Sequence, residues 1–364
     1  MTDINNKILD MIKNNKSVRE ISNELKLTPK QIFNRINSIE DYGYIISRKY
    51  DTFANINYVL GNNGSYKENF FDLENRLKRI KMMVISDLHV GNIISAENDI
   101  NKIYNYCIKN DINIIIICGD IVDGTYSRSE KTIEPEKQIE RFLKIYPFDK
   151  NIVSLYTLGD HDVSLLKEKI SFLNAIYKKR HDIVSLSKLN DNNKSNTLCI
   201  NNQKILVSHC INKNDTNNMN DIRLHLIGHS HKSLFSISND GNELKTPKIH
   251  IPSFSYLSRE NEINIPRAVE LTIYIDDDFI FESILKRDLM LYDNKMINVS
   301  NTEFSFKNIE SKNKELNEDD KTEKVEDENI DINSDQKKYV DEFFGRNQKK
   351  LGRKLKKQLQ KKKY

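Results

Sequence analysis

The spacing of apolar residues divides the chain into regions of different secondary structure. Within residues 4–12, apolar side chains recur every three or four positions, which is typical of an amphipathic helix. Ser17 is followed three residues later by Glu20, and this capping-box pattern predicts the start of a second helix. Thr28 and Pro29 predict the start of a third helix, since Thr favours the N-cap and Pro the first turn.

A short ribbon is predicted at residues 44–49, directly after the third helix. This order of helices, tight turn and ribbon resembles a winged helix-turn-helix, in which the third helix enters the DNA major groove. Lys30, Gln31, Asn34 and Arg35 would then point outward as nucleic-acid contacts. The alternative is a three-helix module for protein interaction or oligomerisation.

From Met82 onward, short apolar runs alternate with amphipathic stretches, which predicts an α/β layered domain. The predicted strands lie at 82–86, 112–118, 152–158, 204–208, 224–227, 249–252, 269–275 and 279–285, and the predicted helices at 97–109, 136–146 and 164–178. The predicted organisation is a helix-turn-helix-like domain over 1–50, a linker over 51–80, the α/β domain over 81–300, an acidic linker over 301–336 and a basic tail over 337–364.

Charge is distributed unevenly near the end of the chain, although the whole carries only a formal +4. Residues 310–335 are rich in Glu, Asp, Asn and Lys, a composition typical of disordered linkers. Lysine and arginine dominate after residue 337, with Leu351, Leu355 and Leu359 at helical spacing. The tail is interpreted either as a nucleic-acid-binding segment or as a solubilising segment that can fold back on the acidic linker.

Composition favours a cytoplasmic protein without a membrane segment. None of the four cysteines forms a C-x-x-C pair, and several lie in apolar runs, so reduced thiols are expected. The first residues show no signal-peptide pattern. The longest apolar run, 112–118, is far shorter than the roughly 20 residues that a membrane-spanning helix needs.

Five predicted strands are followed by aspartate or histidine. The candidates are Asp87, His89, Asp120, Asp123, Asp160, His161, Asp162, His209, His229 and His231. The carboxyl ends of strands face the ligand crevice of an α/β sheet, and alternate residues of extended chain point the same way. A glycine precedes Asp120, Asp160 and His229, which would let the backbone turn sharply. Carboxylate with imidazole suits Mn, Fe or Zn, and two ions roughly 3.5–4 Å apart can activate water against a phosphoester.

The ordered motifs DLH, GDIVD, GDHD, SH and GHSH, spread over residues 82–275, resemble those of the calcineurin-like metallophosphoesterase family. The resemblance implies a four-layer αββα sandwich with two divalent metal ions, most simply Mn²⁺, with Fe or Zn as alternatives. It implies these ligands: for the first metal Asp87, His89 and His231, for both metals Asp120, and for the second metal Asp160, His209 and His229. His161 would act as general acid and be oriented by Asp162, and Asp123 would lie behind the ligands.

Asp160 departs from the family pattern, which usually has Asn at this position. Aspartate adds a negative charge and lacks the N–H donor that an amide offers to a phosphate. The second metal is therefore expected to bind more tightly but to be less electrophilic. Slower turnover, a different preferred metal and loss of activity are all open.

The residues after the motifs bear on the substrate. Gly124 after Asp123 and Asp162 after His161 differ from the pattern of protein Ser/Thr phosphatases and look more like nuclease-type members of the family. A DNA-directed phosphodiesterase is therefore the favoured hypothesis. The alternatives are a small-molecule or nucleotide phosphatase or phosphodiesterase, and a DNA-binding regulator with a weakened metal site. Related repair nucleases commonly dimerise, but the sequence shows no interface.

Overall fold

A computed structural model describes residues 1–50, 55–61, 72–73, 78–93, 95–126, 133–187, 194–210, 222–240, 243–256 and 264–306. The predicted acidic linker beyond residue 306 and the predicted basic tail lie outside the described residues.

The three predicted N-terminal helices are confirmed as α1 (Asp3–Lys13), α2 (Val18–Leu25) and α3 (Pro29–Asp41). In the predicted capping box, the backbone N–H of Ser17 donates to Glu20 Oε2 at 2.7 Å and that of Glu20 donates to Ser17 Oγ at 3.2 Å. The isoleucines at helical spacing, apart from the exposed Ile4, are buried and form one apolar cluster. Burial of this face, more than helix propensity, holds the unit together.

The predicted ribbon is part of an antiparallel hairpin of β1 (Ile46–Tyr50) and β2 (Ile56–Leu60). β2 lies inside the range 51–80 that was predicted as a linker, so that range contains regular structure. The physical reason is burial, because Tyr58 packs into the helical cluster at 3% exposure. DNA binding by this unit stays a prediction.

The α/β domain contains seventeen further helices and strands within the described residues, apart from short 3₁₀ turns. They are β3 (Asp72–Leu73), β4 (Arg79–Ile85), α4 (Ile100–Lys109), β5 (Ile114–Cys118), α5 (Pro135–Ile145), β6 (Val153–Thr157), α6 (Asp160–Ser164), α7 (Phe172–Lys179), β7 (Ile183–Ser185), β8 (Ser195–Ile200), β9 (Gln203–Ser208), β10 (Ile222–His231), β11 (Leu234–Asp240), β12 (Glu243–Pro252), β13 (Arg267–Ile275), β14 (Phe281–Tyr292) and β15 (Lys295–Ser305).

These strands form two mixed sheets. The first has the order β15-β14-β13-β4-β5-β6-β7, in which β4 to β7 are parallel and β13 to β15 antiparallel. The second has the order β11-β12-β10-β9-β8-β3. The central strands β5 and β6 of the first sheet are buried throughout, as expected for parallel strands covered on both faces.

Alternate side chains of the first sheet enter two different apolar layers. Ile115 and Ile117 of β5 pack with helices α4, α5 and α7, whereas Ile114 and Ile116 pack against the second sheet. The layers therefore run helices, first sheet, second sheet, which confirms the predicted sandwich of helices and mixed sheets. Of the four layers predicted (αββα), the helices on the outer face of the second sheet are not found among the described residues. None of the described helices is long and apolar enough to cross a membrane.

The N-terminal unit docks on the α/β domain through α3 and α7. The Tyr177 hydroxyl donates to Glu40 Oε1 at 2.7 Å, and Asn37 Nδ2 donates to the carbonyl of Lys178 at 3.3 Å. The guanidinium of Arg48, which is 1% exposed, lies 4.0 Å from the centroid of the Tyr177 ring and 5.2 Å from that of Phe33. These contacts set the position of α3 relative to the sheets.

Candidate metal centre

Five strands of the two sheets deliver the candidate ligands to one crevice. β4, β5 and β6 of the first sheet are followed by Asp87, Asp120 and Asp160. In the second sheet, His209 follows β9 and His229 lies near the end of β10. A parallel bridge between Ser86 and Ser253 joins the sheets' carboxyl ends beside these residues. The topology thus brings together groups that are far apart in sequence.

The structure gathers the side chains into three overlapping groups whose ligand atoms lie within 4.8 Å of one another. The groups are Asp87, His89 and His231; His89, Asp120 and His161; and Asp120, His209 and His229. Six of the seven predicted metal ligands belong to them, and the remaining one, Asp160, does not. Because adjacent groups share His89 or Asp120, the arrangement suits neighbouring ions with a common ligand.

Buried atoms in the first group lack hydrogen-bond partners among the described residues. Both ring nitrogens of His89 and Oδ1 of Asp87 are unsatisfied, although the two residues are 2% and 0% exposed. Asp87 Oδ1 is 3.2 Å from His231 Nε2 and 3.9 Å from His89 Nε2. Unpaired buried polar atoms are unfavourable, and a divalent cation between Asp87 Oδ1 and His89 Nε2 would satisfy these two, while His89 Nδ1 faces Asp123. These residues therefore fit a metal ion.

In the third group, His209 is oriented as a metal-binding imidazole. Its Nδ1–H donates to the carbonyl of Cys118 at 2.8 Å, since a carbonyl can only accept. Its Nε2 then points at Asp120 Oδ2, 3.0 Å away, and lies 3.1 Å from His229 Nδ1. A backbone acceptor behind the ring is the usual support for a ligating histidine.

Charge in this group is balanced by protons when no cation is bound. Burial lowers the pKa of His209, but the hydrogen bond and negative charge of Asp120 outweigh it and raise the pKa to about 9. Burial likewise raises the pKa of Asp120, yet His209 holds it below the ordinary range. A metal ion would replace the proton on His209, so metal binding should release protons.

The backbone at the ligands is itself strained. Five candidate ligands have left-handed φ angles: Asp87 at 55°, His89 at 47°, Asp120 at 53°, His229 at 65° and His231 at 60°. Such angles are unfavourable for residues with a Cβ and concentrate at functional sites. Here they turn each side chain off its strand and into the crevice.

Two of the glycines before the ligands have a different role from the predicted sharp turn. Gly119 has a φ of 84°, as expected, but Gly159 has a φ of −103°. A Cβ on Gly159 would lie 2.1 Å from Asp120 Oδ1, and one on Gly228 would lie 2.3 Å from Ser86 Oγ. These two positions require glycine because the strand ends approach each other closely.

Replacing Gly159 by Ala should therefore push Asp120 away from His209. We expect a loss of about 1–3 kcal/mol in the free energy of unfolding, which is typical of an overpacked core, together with weaker metal binding. Denaturant unfolding and calorimetric Mn²⁺ titration measure the two effects. The control Gly43→Ala, whose φ is 94° in the N-terminal unit, should lose stability but keep wild-type metal affinity. Unchanged metal affinity in Gly159→Ala would contradict the packing argument.

His161 presents one ring nitrogen to the ligand groups. Its Nδ1–H donates to the carbonyl of Asp123 at 2.6 Å, and its backbone N–H donates to Asp120 Oδ1 at 2.8 Å. Nε2 then lies 3.9 Å from Asp120 Oδ2, and the side chain is 24% exposed. The ring can therefore reach both the metal groups and a substrate in the crevice.

The predicted orientation of His161 by Asp162 was wrong. The carboxylate of Asp162 accepts from the backbone N–H groups of Ile121 at 2.9 Å, Val122 at 3.0 Å and Gly159 at 2.8 Å. Burial, followed by the charge of Asp120, raises its pKa above the ordinary carboxyl range, and the backbone hydrogen bonds offset this in part. The carboxylate of Asp162 thus accepts three buried backbone hydrogen bonds. Because these come from the loops that carry the ligands, Asp162 fixes the positions of those loops.

Asp123 lies behind the ligands, where it was predicted. Its Oδ1 is 3.6 Å from His89 Nδ1, and its Oδ2 accepts from Asn92 Nδ2 at 3.2 Å. The carboxylate can therefore hold the His89 ring with Nε2 directed at Asp87.

The sequence model of the calcineurin-like phosphoesterase family matches residues 80–281, which is more than half of the chain. The match includes every strand end that carries a candidate ligand. The chain belongs to the calcineurin-like phosphoesterase family. The resemblance inferred from the five motifs is thereby confirmed. Membership of the family also confirms the prediction of a metal-dependent hydrolase of phosphoesters.

Comparisons with individual proteins add less. No curated protein gives a significant match. Among solved structures, the phosphoesterase is similar to one described as "GAP50 the anchor in the inner membrane complex of Plasmodium", with 8% sequence identity, 63% of this chain and 89% of that chain covered, and a TM-score of 0.37. Similarity at this level carries no argument about function.

Asp160 of the phosphoesterase lies at the edge of the centre. Its Oδ2 is 3.6 Å from His229 Nδ1, and its Oδ1 pairs with the ammonium of Lys194. Both side chains of the ion pair are 29% exposed. Sequence reasoning missed Lys194, because a single lysine beside the low-complexity stretch 188–194 carries no pattern. The role of Asp160 as a metal ligand stays a prediction.

Asp160→Asn should keep metal binding and should not lower activity. The amide oxygen remains available to a metal or to Lys194, and the amide N–H restores a donor for the phosphate. Metal content and kcat, compared at equal metal occupancy, test this expectation. Much slower turnover at equal occupancy would refute it.

The rim of the crevice beside His161 is aromatic and cationic. The ring centroid of Tyr126 lies 5.1 Å from that of His161, and Tyr126 is 54% exposed. Lys167 Nζ lies 4.6 Å from the centroid of the Tyr126 ring. No sequence motif singled out either residue.

The predicted nucleic-acid contacts lie on α3, away from the metal groups. Lys30, Gln31 and Asn34 are exposed, although Gln31 Oε1 accepts from the backbone N–H of Thr28 at 2.8 Å. Arg35 is half-buried, and its Nη1 donates to Asn5 Oδ1 at 3.4 Å. Their role in binding DNA stays a prediction.

Proposed function

We propose that this phosphoesterase is a DNA-directed phosphodiesterase that works with two divalent metal ions, most simply Mn²⁺. The observation that carries the proposal is the rim beside His161, where the exposed Tyr126 ring is flanked by Lys167. Aromatic rings stack on nucleobases, and lysines gain affinity from backbone phosphates. The nuclease-like motif ending in Gly124 supports the same substrate class.

The grouped residues other than His161 would hold two ions, which would activate a water molecule and neutralise the negative charge that develops on the phosphate. The protein's own residues do the rest. Tyr126 and Lys167 hold the nucleotide next to His161. Protonated His161 donates from Nε2 to the departing sugar oxygen, while Nδ1–H stays bonded to the carbonyl of Asp123.

The N-terminal unit would bind duplex DNA through the exposed start of α3, where Lys30 and Asn34 lie. Its contacts with α7 involve Asn37 and Glu40, nearer the end of the helix. The start of α3 is thus open to a ligand while its end is anchored on the catalytic domain. The basic tail over 337–364 would add a second, sequence-independent affinity for DNA.

Other features of the proposed setting rest on the sequence. All four cysteines are free thiols in the described residues, which is compatible with a cytoplasmic location. A dimer is an expectation from related repair nucleases.

Mn²⁺-dependent hydrolysis by the full-length protein tests the proposal. Bis-p-nitrophenyl phosphate, p-nitrophenyl phosphate and labelled single- and double-stranded DNA are compared, with His161→Ala alongside. We expect cleavage of DNA and of the diester, with the cleavage of DNA lost in the variant. Turnover of the monoester alone would indicate a small-molecule or nucleotide phosphatase. DNA binding that depends on residues 1–60, without turnover of any substrate, would indicate a DNA-binding regulator.

A further inference from the structure

The ion pair of Asp160 and Lys194 joins the two sheets across the crevice. Asp160 opens α6 after strand β6 of the first sheet, whereas Lys194 immediately precedes β8 of the second. The backbone of Lys194 is fixed as well, because its carbonyl accepts from the N–H of His209 at 2.9 Å. His209 therefore holds the backbone of Lys194, and Asp160 holds its ammonium group.

The pair reproduces what an asparagine would offer at position 160. An amide is neutral and provides an N–H donor, whereas aspartate is charged and provides none. Lys194 cancels that charge. Its ammonium has three N–H donors, and among the described residues only Asp160 Oδ1 accepts from one of them. The other two N–H groups lie at the edge of the crevice, because the carboxylate of Asp160 that holds the ammonium also lies 3.6 Å from His229 Nδ1 through its Oδ2.

We propose that Lys194 is the residue that binds a non-bridging oxygen of the substrate phosphate, with Asp160 holding its ammonium in place. The inference rests on the proposed function only in that the centre binds phosphoesters. It covers phosphomonoesters and phosphodiesters alike, because both present such oxygens. A role of Lys194 limited to neutralising Asp160 is the contrasting view.

Inorganic phosphate binding to the Mn²⁺-loaded protein tests the proposal without turnover. Isothermal titration calorimetry compares the wild type with Lys194→Met, Lys194→Arg, Asp160→Asn and the Lys194→Met/Asp160→Asn double variant. We expect Lys194→Met to weaken phosphate binding by roughly 10- to 100-fold, the usual effect of losing a charged hydrogen-bond donor. Lys194→Arg should retain binding within about fivefold, since the cation and donors remain.

The double variant separates the two roles of Lys194. In the Asp160→Asn background, the amide already donates to the phosphate, so Lys194→Met should cost less than about threefold there. Lys109→Met is the matched control. It lies at the end of α4, where β5 begins, and so at the end of the sheet opposite the crevice. The control should bind phosphate as the wild type does.

Three outcomes would overturn the proposal: phosphate binding unchanged in Lys194→Met, the same loss in both backgrounds, or a fall in the number of bound Mn²⁺ ions that accounts for the loss. In kinetics, Lys194→Met should raise KM for a phosphodiester more than it lowers kcat, and Lys194→Arg should rescue it. If no DNA is cleaved while the phosphate-binding pattern holds, the nuclease function fails and the assignment of Lys194 stands.

Discussion

Replacing Asp120 by Asn should lower kcat/KM for phosphoesters by about 10³-fold or more, which corresponds to several kcal/mol of lost stabilisation by a metal pair. Asp120 belongs to two of the three ligand groups, and its Oδ2 lies 3.0 Å from His209 Nε2. Asparagine has the same shape, but it removes the negative charge that a shared ligand supplies. Its amide oxygen can still accept from the backbone N–H of His161, so the fold should survive.

Asp111→Asn is the matched control for this experiment. Asp111 is an exposed aspartate with a left-handed φ of 55°, close to that of Asp120, and it lies in the turn before β5. Asparagine tolerates this conformation, so the control should keep full activity. Near wild-type turnover in Asp120→Asn would contradict the assignment of Asp120 as a shared ligand.

His161→Ala should lower the rate of DNA cleavage by about 10²- to 10⁴-fold, the typical contribution of a general acid. Its effect should depend on the leaving group. The sugar oxygen of DNA needs a proton to depart, whereas p-nitrophenolate departs well without one. The loss should therefore be much smaller for bis-p-nitrophenyl phosphate than for DNA, and metal content should stay unchanged. Steady-state kinetics on both substrates measure this ratio.

His250→Ala serves as the control for His161→Ala, because His250 lies on β12 outside the three ligand groups. It should leave both rates unchanged. Equal losses on DNA and on the activated diester in His161→Ala would mean that His161 contributes by binding the phosphate and does not protonate the leaving group.

The centre could be predicted from the sequence because its ligands follow directly from local patterns. Five predicted strands are followed by an Asp or His, and an Asp-x-His pair was expected to bind together, although left-handed φ angles and not extended alternation direct the two side chains. Asp87 and His89 do lie in one ligand group. The N-terminal helices were equally local, since the Ser17 and Thr28 caps and the isoleucine spacing defined them.

What could not be predicted depends on contacts between distant segments. The roles of Lys194 and Tyr126 can be recognised only from their contacts with Asp160 and His161. These contacts exist only in the folded structure. Asp162 was assigned to His161 from proximity in sequence, but the backbone N–H groups of another loop lie closer to its carboxylate.

Strands with mixed polarity were also missed. β15 is largely exposed or half-buried, and its residues lack an apolar alternation, so only pairing with β14 reveals it. β2 is mostly apolar, and it was missed because residues 51–80 were interpreted as a linker; its Tyr58 is buried by the helical cluster.

A Mn²⁺ titration followed by electron paramagnetic resonance tests the central claim, a metal centre with a shared carboxylate, most directly. Two ions per chain should bind, and their spectrum should show exchange coupling, as expected for ions roughly 3.5–4 Å apart. Asp120→Asn should abolish the coupling. A single bound ion, or two ions without coupling in the wild type, would contradict the claim.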